Sequence, residues 1–146
     1  MKWTVRVRSV GRRRAVAYAR LHRFEVGAPV EFDPQGDAVS SLEFALGALA
    51  ADLLNTFTEL ARRRRIELDG VEAVVGGTLE NPLAVLEVVG EQGGPALESV
   101  AIKLYVTSPA PPERIDELWR DAQRLSPLTV TLRAAVALEL ELVLTP

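Results

Sequence analysis

Polar and apolar positions alternate near the start of the chain. Trp3, Val5 and Val7 fall on one side, and Thr4, Arg6 and Arg8 on the other. That is the period of a strand with one buried face. Gly11 followed by Arg12, Arg13 and Arg14 reads as a polar hairpin tip, after which Ala15–Ala19 and His22–Val26 return to extended character. Asp33-Pro34-Gln35-Gly36-Asp37 is turn chemistry. The period then changes. Ser40-Ser41-Leu42-Glu43 fits a capping box, in which a serine hydroxyl and the glutamate three residues on satisfy free amides at a helix start. From Leu42 to Phe57 apolar residues run almost all round the helix, with Gly47 and several alanines permitting close approach. Such a pattern predicts a buried central helix. Arg62-Arg63-Arg64-Arg65 ends it, where cations complement the helix dipole. From Ser40 to Arg65 the helix would measure about 39 Å at 1.5 Å per residue. A helix that long in so small a chain either kinks or crosses a subunit boundary.

Strand patterns return at Val71–Leu79, Leu83–Glu91 and Val100–Thr107. In the last, Val100, Ile102, Leu104 and Val106 share one face. Asn81-Pro82 and Gly93-Gly94-Pro95 mark turns, and Gly76-Gly77 reads as a turn or bulge. Ala110-Pro111-Pro112 opens a second helix, whose buried stripe is Ile115, Leu118, Trp119, Ala122 and Leu125. Ser126-Pro127 breaks it. A closing strand, Val136–Leu144, turns Leu138, Leu140 and Leu142 inward. Strands, a long helix, three strands, an amphipathic helix and a strand make an α+β fold, read as one domain over residues 1–146.

Composition narrows the chemistry. The 146 residues hold no cysteine, which excludes disulfides, thiolate metal sites, iron–sulfur clusters and cysteine nucleophiles within the chain. The single histidine, His22, cannot build a multi-histidine site and reads as an exposed or structural residue. No metal and no cofactor is expected. Residues 1–65 carry twelve basic and seven acidic side chains, and residues 66–146 five and thirteen. Fifteen of the seventeen basic residues are arginine, but the acidic second half and the lack of aromatic interleaving argue against a nucleic-acid surface. No apolar run approaches the roughly twenty residues of a membrane span. The opening residues alternate, unlike a targeting peptide, so a cytoplasmic address is the expectation.

The candidate site lies on the long helix. Asp52, Asn55, Thr56 and Glu59 form a polar stripe at i, i+3, i+4 and i+7 on an otherwise apolar helix. Such a stripe either meets water, hydrogen bonds across a dimer, or lines a ligand pocket in which Asp52 binds or accepts a proton. Ser126, just before a proline, reads as the cap of a short turn; as a nucleophile it would lack a histidine relay.

The order of elements, the helix Ser41-Leu42-Glu43-Phe44-Ala45-Leu46-Gly47-Ala48-Leu49-Ala50-Ala51-Asp52 and the break Ser126-Pro127-Leu128 together resemble the OsmC/Ohr family of organic-hydroperoxide reductases. The resemblance extends over about residues 20–146, including Phe32-Asp33. It implies an intertwined homodimer, with long central helices packed on β-sheets and two sites where the subunits meet. In active members a cysteine on the long helix attacks the hydroperoxide and a second, before the proline, resolves it. A hairpin arginine and a glutamate near the helix start assist. Here Asp52 stands at the first cysteine position and Ser126 at the second. The glutamate position falls on Leu42, one residue before Glu43, and any of Arg12, Arg13 and Arg14 could match the hairpin arginine. The expected function is therefore a dimer that binds a small molecule at its interface or serves structurally, without peroxidase chemistry. The alternatives are an enzyme of another class using Asp52 with a hairpin arginine, and an oxidative-stress role inherited from the family.

Overall fold

A computed structural model describes residues 1–33 and 35–146 of the chain. Pro34, in the expected turn Asp33–Asp37, lies outside the described residues. The turn's other groups close as turn chemistry dictates: the Gln35 amide donates to the Asp33 carboxylate at 2.9 Å, and the Gly36 amide to the Asp33 carbonyl at 2.9 Å. The chain divides into two compact units, Met1–Ala45 and Leu46–Pro146.

The first unit is a meander of three antiparallel strands, β1 (Arg6–Gly11), β2 (Arg14–Ala19) and β3 (His22–Val26). Val7, Ala17 and Phe24 are in register, and Phe24 packs on Phe44 with ring centroids 5.3 Å apart. The expected buried face of Trp3, Val5 and Val7 is not buried. Trp3 is 75% exposed and Val7 61%. Alternation only sorts side chains to one face. Burial needs a second layer over that face, and β1 is an edge strand.

The long helix α1 runs from Ser41 to Arg63. Its start is the expected capping box. The Ser40 amide and hydroxyl both donate to the Glu43 carboxylate, at 2.8 and 2.7 Å, and the Glu43 amide donates back to Ser40 Oγ at 3.2 Å. These bonds hold the Glu43 carboxyl below its ordinary pKa. At the other end Arg65 adopts a left-handed φ of 54°, and the Ile66 amide reaches back to the Ala61 carbonyl at 2.9 Å. The helix is buried on one side only, through Leu49, Ala50, Leu53, Phe57, Leu60 and Ala61. Ala45, Gly47, Ala48 and Ala51 are exposed, which corrects the expectation of burial all round. A single chain supplies a layer for one face and leaves the small residues of the other open.

In the second unit β4 (Gly70–Leu79), β5 (Leu97–Thr107) and β6 (Ala137–Thr145) form one sheet in that order, with β5 central. β4 and β5 are antiparallel, whereas β5 and β6 are parallel and joined by α2 (Pro112–Leu125) and α3 (Pro127–Leu132). Val100, Ile102, Leu104 and Val106 are buried against α1 and α2 residues of one core, where Phe57 meets Trp119 edge to face at 6.4 Å. Gly76 and Gly77 lie within β4, not in a turn. A side chain at Gly77 would come within 3.2 Å of Leu46 and Leu97, so glycine lets the helix close on the sheet there.

The expected strand Leu83–Glu91 is absent. Pro82–Leu86 is a short 3-10 helix instead, capped by Asn81, whose side-chain oxygen accepts from the Leu83 amide at 3.0 Å. Asn81-Pro82 chemistry overrides the apolar run, because the cap and the fixed proline φ favour a helical turn. Leu125, expected in the buried stripe of α2, is 46% exposed. No described helix is long and apolar enough to cross a membrane.

Candidate functional site

Asp52 sits midway along α1 and Ser126 at the junction of α2 and α3. Asp52 Oδ2 accepts from the Ser126 hydroxyl at 2.5 Å and from the Leu128 amide at 2.9 Å. Ser126 is fully buried, and its oxygen also caps α3 by accepting from the Thr129 amide at 3.3 Å. The Ser126 and Thr129 hydroxyls are 2.8 Å apart. Ser126 has one proton and a carboxylate can only accept, so that proton points to Asp52 and Thr129 supplies the other hydroxyl proton. A relay of Thr129, Ser126 and Asp52 results, and each hydroxyl polarises the next. Ser126 is thus the cap its sequence context predicts. Its hydroxyl is enclosed and committed, so it is not available as a nucleophile.

The four residues of the polar stripe line one cavity. Asp52, Asn55, Thr56 and Glu59 line an open cleft of about 460 Å³ together with Leu60, Arg63 and Leu125. Glu59 accepts from Arg62 through two parallel bonds of 2.8 Å and from Arg63 Nε at 2.8 Å. These guanidiniums pull its carboxyl down to about 2. Leu60, Arg63 and Leu125 complete the lining beyond the polar stripe. Arg63 was accessible in principle, since it lies four residues after Glu59, where a helix brings opposite charges together. Leu125 was hidden by its fit to the α2 stripe.

The hairpin arginines divide. Arg14 pairs with Glu25 at 3.4 Å and with Asp37, whereas Arg12 and Arg13 are exposed at the tip. His22 is exposed at the start of β3. Around Asp52 the arrangement can accept a proton or hydrogen bond at Oδ1, the oxygen that no donor within Leu46–Pro146 occupies.

An α+β chain with a long helix beside a sheet whose two outer strands run in opposite directions, and with a helix break touching that long helix, is the architecture of the OsmC/Ohr class. Residues 34–141 match the sequence profile of the OsmC-like proteins, and the chain belongs to that family. No curated protein matches the sequence. Among solved structures it is similar to an OsmC-like protein from Mycoplasma pneumoniae, at 17% identity, a TM-score of 0.83 and coverage of 100% of this chain and 99% of that one. It is also similar to an organic hydroperoxide resistance protein OsmC from Legionella pneumophila, at 14% identity, a TM-score of 0.67 and coverage of 98% and 97%. The organic hydroperoxide resistance protein OhrB of Bacillus subtilis follows at 18% identity and 0.62, with 97% and 98% covered. These likenesses concern the fold. The chain itself has no cysteine.

Proposed function

We propose that this chain is a non-peroxidase member of the OsmC-like family, a cytoplasmic homodimer that holds a small molecule in the cavity beside Asp52. The observation that carries the reading is the Asp52–Ser126 hydrogen bond. The two positions that resemble the family's thiol pair touch each other, yet one is a carboxylate and the other a buried hydroxyl. Neither can be oxidised by a hydroperoxide and then form and release a disulfide. Dimerisation is supported by the open alanine side of α1 and by the exposed Trp3, Val5 and Val7, apolar surface that a second copy would cover.

The test is consumption of cumene hydroperoxide by purified protein with a dithiol in metal-free buffer. We expect no consumption above the dithiol background. Sustained consumption in proportion to protein would overturn the non-peroxidase reading. Light scattering of the same sample should give twice the chain mass, and a monomer at micromolar concentration would overturn the dimer.

A further inference from the structure

We propose that the cavity beside Asp52 selects a small organic cation, a primary alkylammonium with a short apolar stem. The inference rests on the reading of this cavity as a ligand site. Its basis is the Asp52 carboxylate, which bonds no cation of its own unit. Glu59 is held by two guanidiniums, Arg63 contributing its Nε, so the positive charge of the cavity gathers at the Glu59 end of the stripe. Asp52 receives only neutral donors within its own unit, a hydroxyl and an amide, and both use Oδ2. Oδ1 is left with its lone pairs and the carboxylate with its charge. A half-buried carboxylate in that condition favours a positively charged donor, because a charge-assisted bond is roughly twice as strong as a neutral one.

The remaining walls describe the rest of the ligand. Asn55 and Thr56 offer neutral polar groups one turn along the helix, where further N–H groups of an ammonium can be satisfied. Leu60 and Leu125 supply an apolar wall. Leu125 is nearly half exposed, although Ile115, Leu118 and Ala122 of the same helix are buried, so its side chain is apolar surface that the core does not use. An anion beside Asp52 would meet repulsion, and Arg63 lies with Glu59 at the other end of the stripe. A neutral alcohol would gain the apolar wall but not the charge. The volume of about 460 Å³ suits a small molecule of this kind.

Butylammonium, butanol and butyrate share one stem and differ in charge. Each is titrated into the full chain at neutral pH while the methyl NMR signals of Leu60 and Leu125 are followed. We expect butylammonium to shift these methyls with an affinity about tenfold above that of butanol, with butyrate weakest. Added salt should weaken the ammonium and leave the alcohol unchanged. Asp52→Asn keeps an oxygen for Ser126 and Leu128 and should bring butylammonium down to the level of butanol. The wild-type ranking and its salt dependence decide the matter without the variant. Equal shifts from all three compounds, or a preference for butyrate, would overturn the cation and leave the cavity a ligand site. Leu60 and Leu125 methyls that respond to none of them would overturn both readings.

Discussion

Asp52 and Glu59 lie two turns apart on one side of α1 and line the same cavity, yet they are held in opposite ways. Glu59 bonds arginines three and four residues away on its own helix, in solvent. Asp52 bonds a hydroxyl and an amide 74 and 76 residues away, at the break between α2 and α3. Pairs of the first kind form wherever the helix forms, and water screens them. Bonds of the second kind exist only when α3 is docked, and removing Asp52 strands the buried Ser126 hydroxyl. The same chemical group is therefore a surface feature at one end of the cavity and a tertiary fastening at the other.

The sharpest way to break this contrast is Asp52→Ala. It leaves the Ser126 hydroxyl and the Leu128 amide without their acceptor and should cost about 2–3 kcal/mol in a denaturant melt. A change below about 0.5 kcal/mol would place Asp52 among ordinary surface residues. Ser126→Ala comes next. Losing both the donor to Asp52 and the cap of α3 should cost about 1–2 kcal/mol. Combined with Asp52→Ala, it should cost less than the sum of the two, as expected for residues in one network.

Glu59→Gln should have the smallest effect, and its signature is pH. The folded carboxyl titrates near 2, below its ordinary 4.5, so its stabilising contribution is present above about 4.5 and is lost as pH falls towards 2. The small stability difference between wild type and Glu59→Gln should therefore be constant above pH 5 and vanish in strong acid. A difference that grows as pH falls would contradict the assignment.

The contrast also explains what the sequence made legible. Local rules were enough for the Ser40–Glu43 box, the end of α1 at its arginines, the alternation of β5 and the polar stripe itself. Each depends on neighbours within about one turn or on a simple period. They failed where burial was the question. The pattern at Trp3, Val5 and Val7 shows a face but not what covers it. The apolar run Leu83–Glu91 has the composition of a strand, but Asn81 and Pro82 before it start a helical turn. That Asp52 and Ser126 meet could not be read from either segment, since the separation is tertiary. Only the likeness of both segments to one family set them side by side.

That juxtaposition is the core of the account, and replacing the two residues together tests it most directly. Asp52→Cys with Ser126→Cys should close an intrachain disulfide under mild oxidant, reducing the free-thiol count from two to none in an unfolded sample run without reductant. Either single variant should keep its one thiol as a monomeric chain on the same gel. Two thiols that persist in the folded double variant, or cross-links only between chains, would contradict the pairing of α1 with the α2–α3 break on which the proposed site depends.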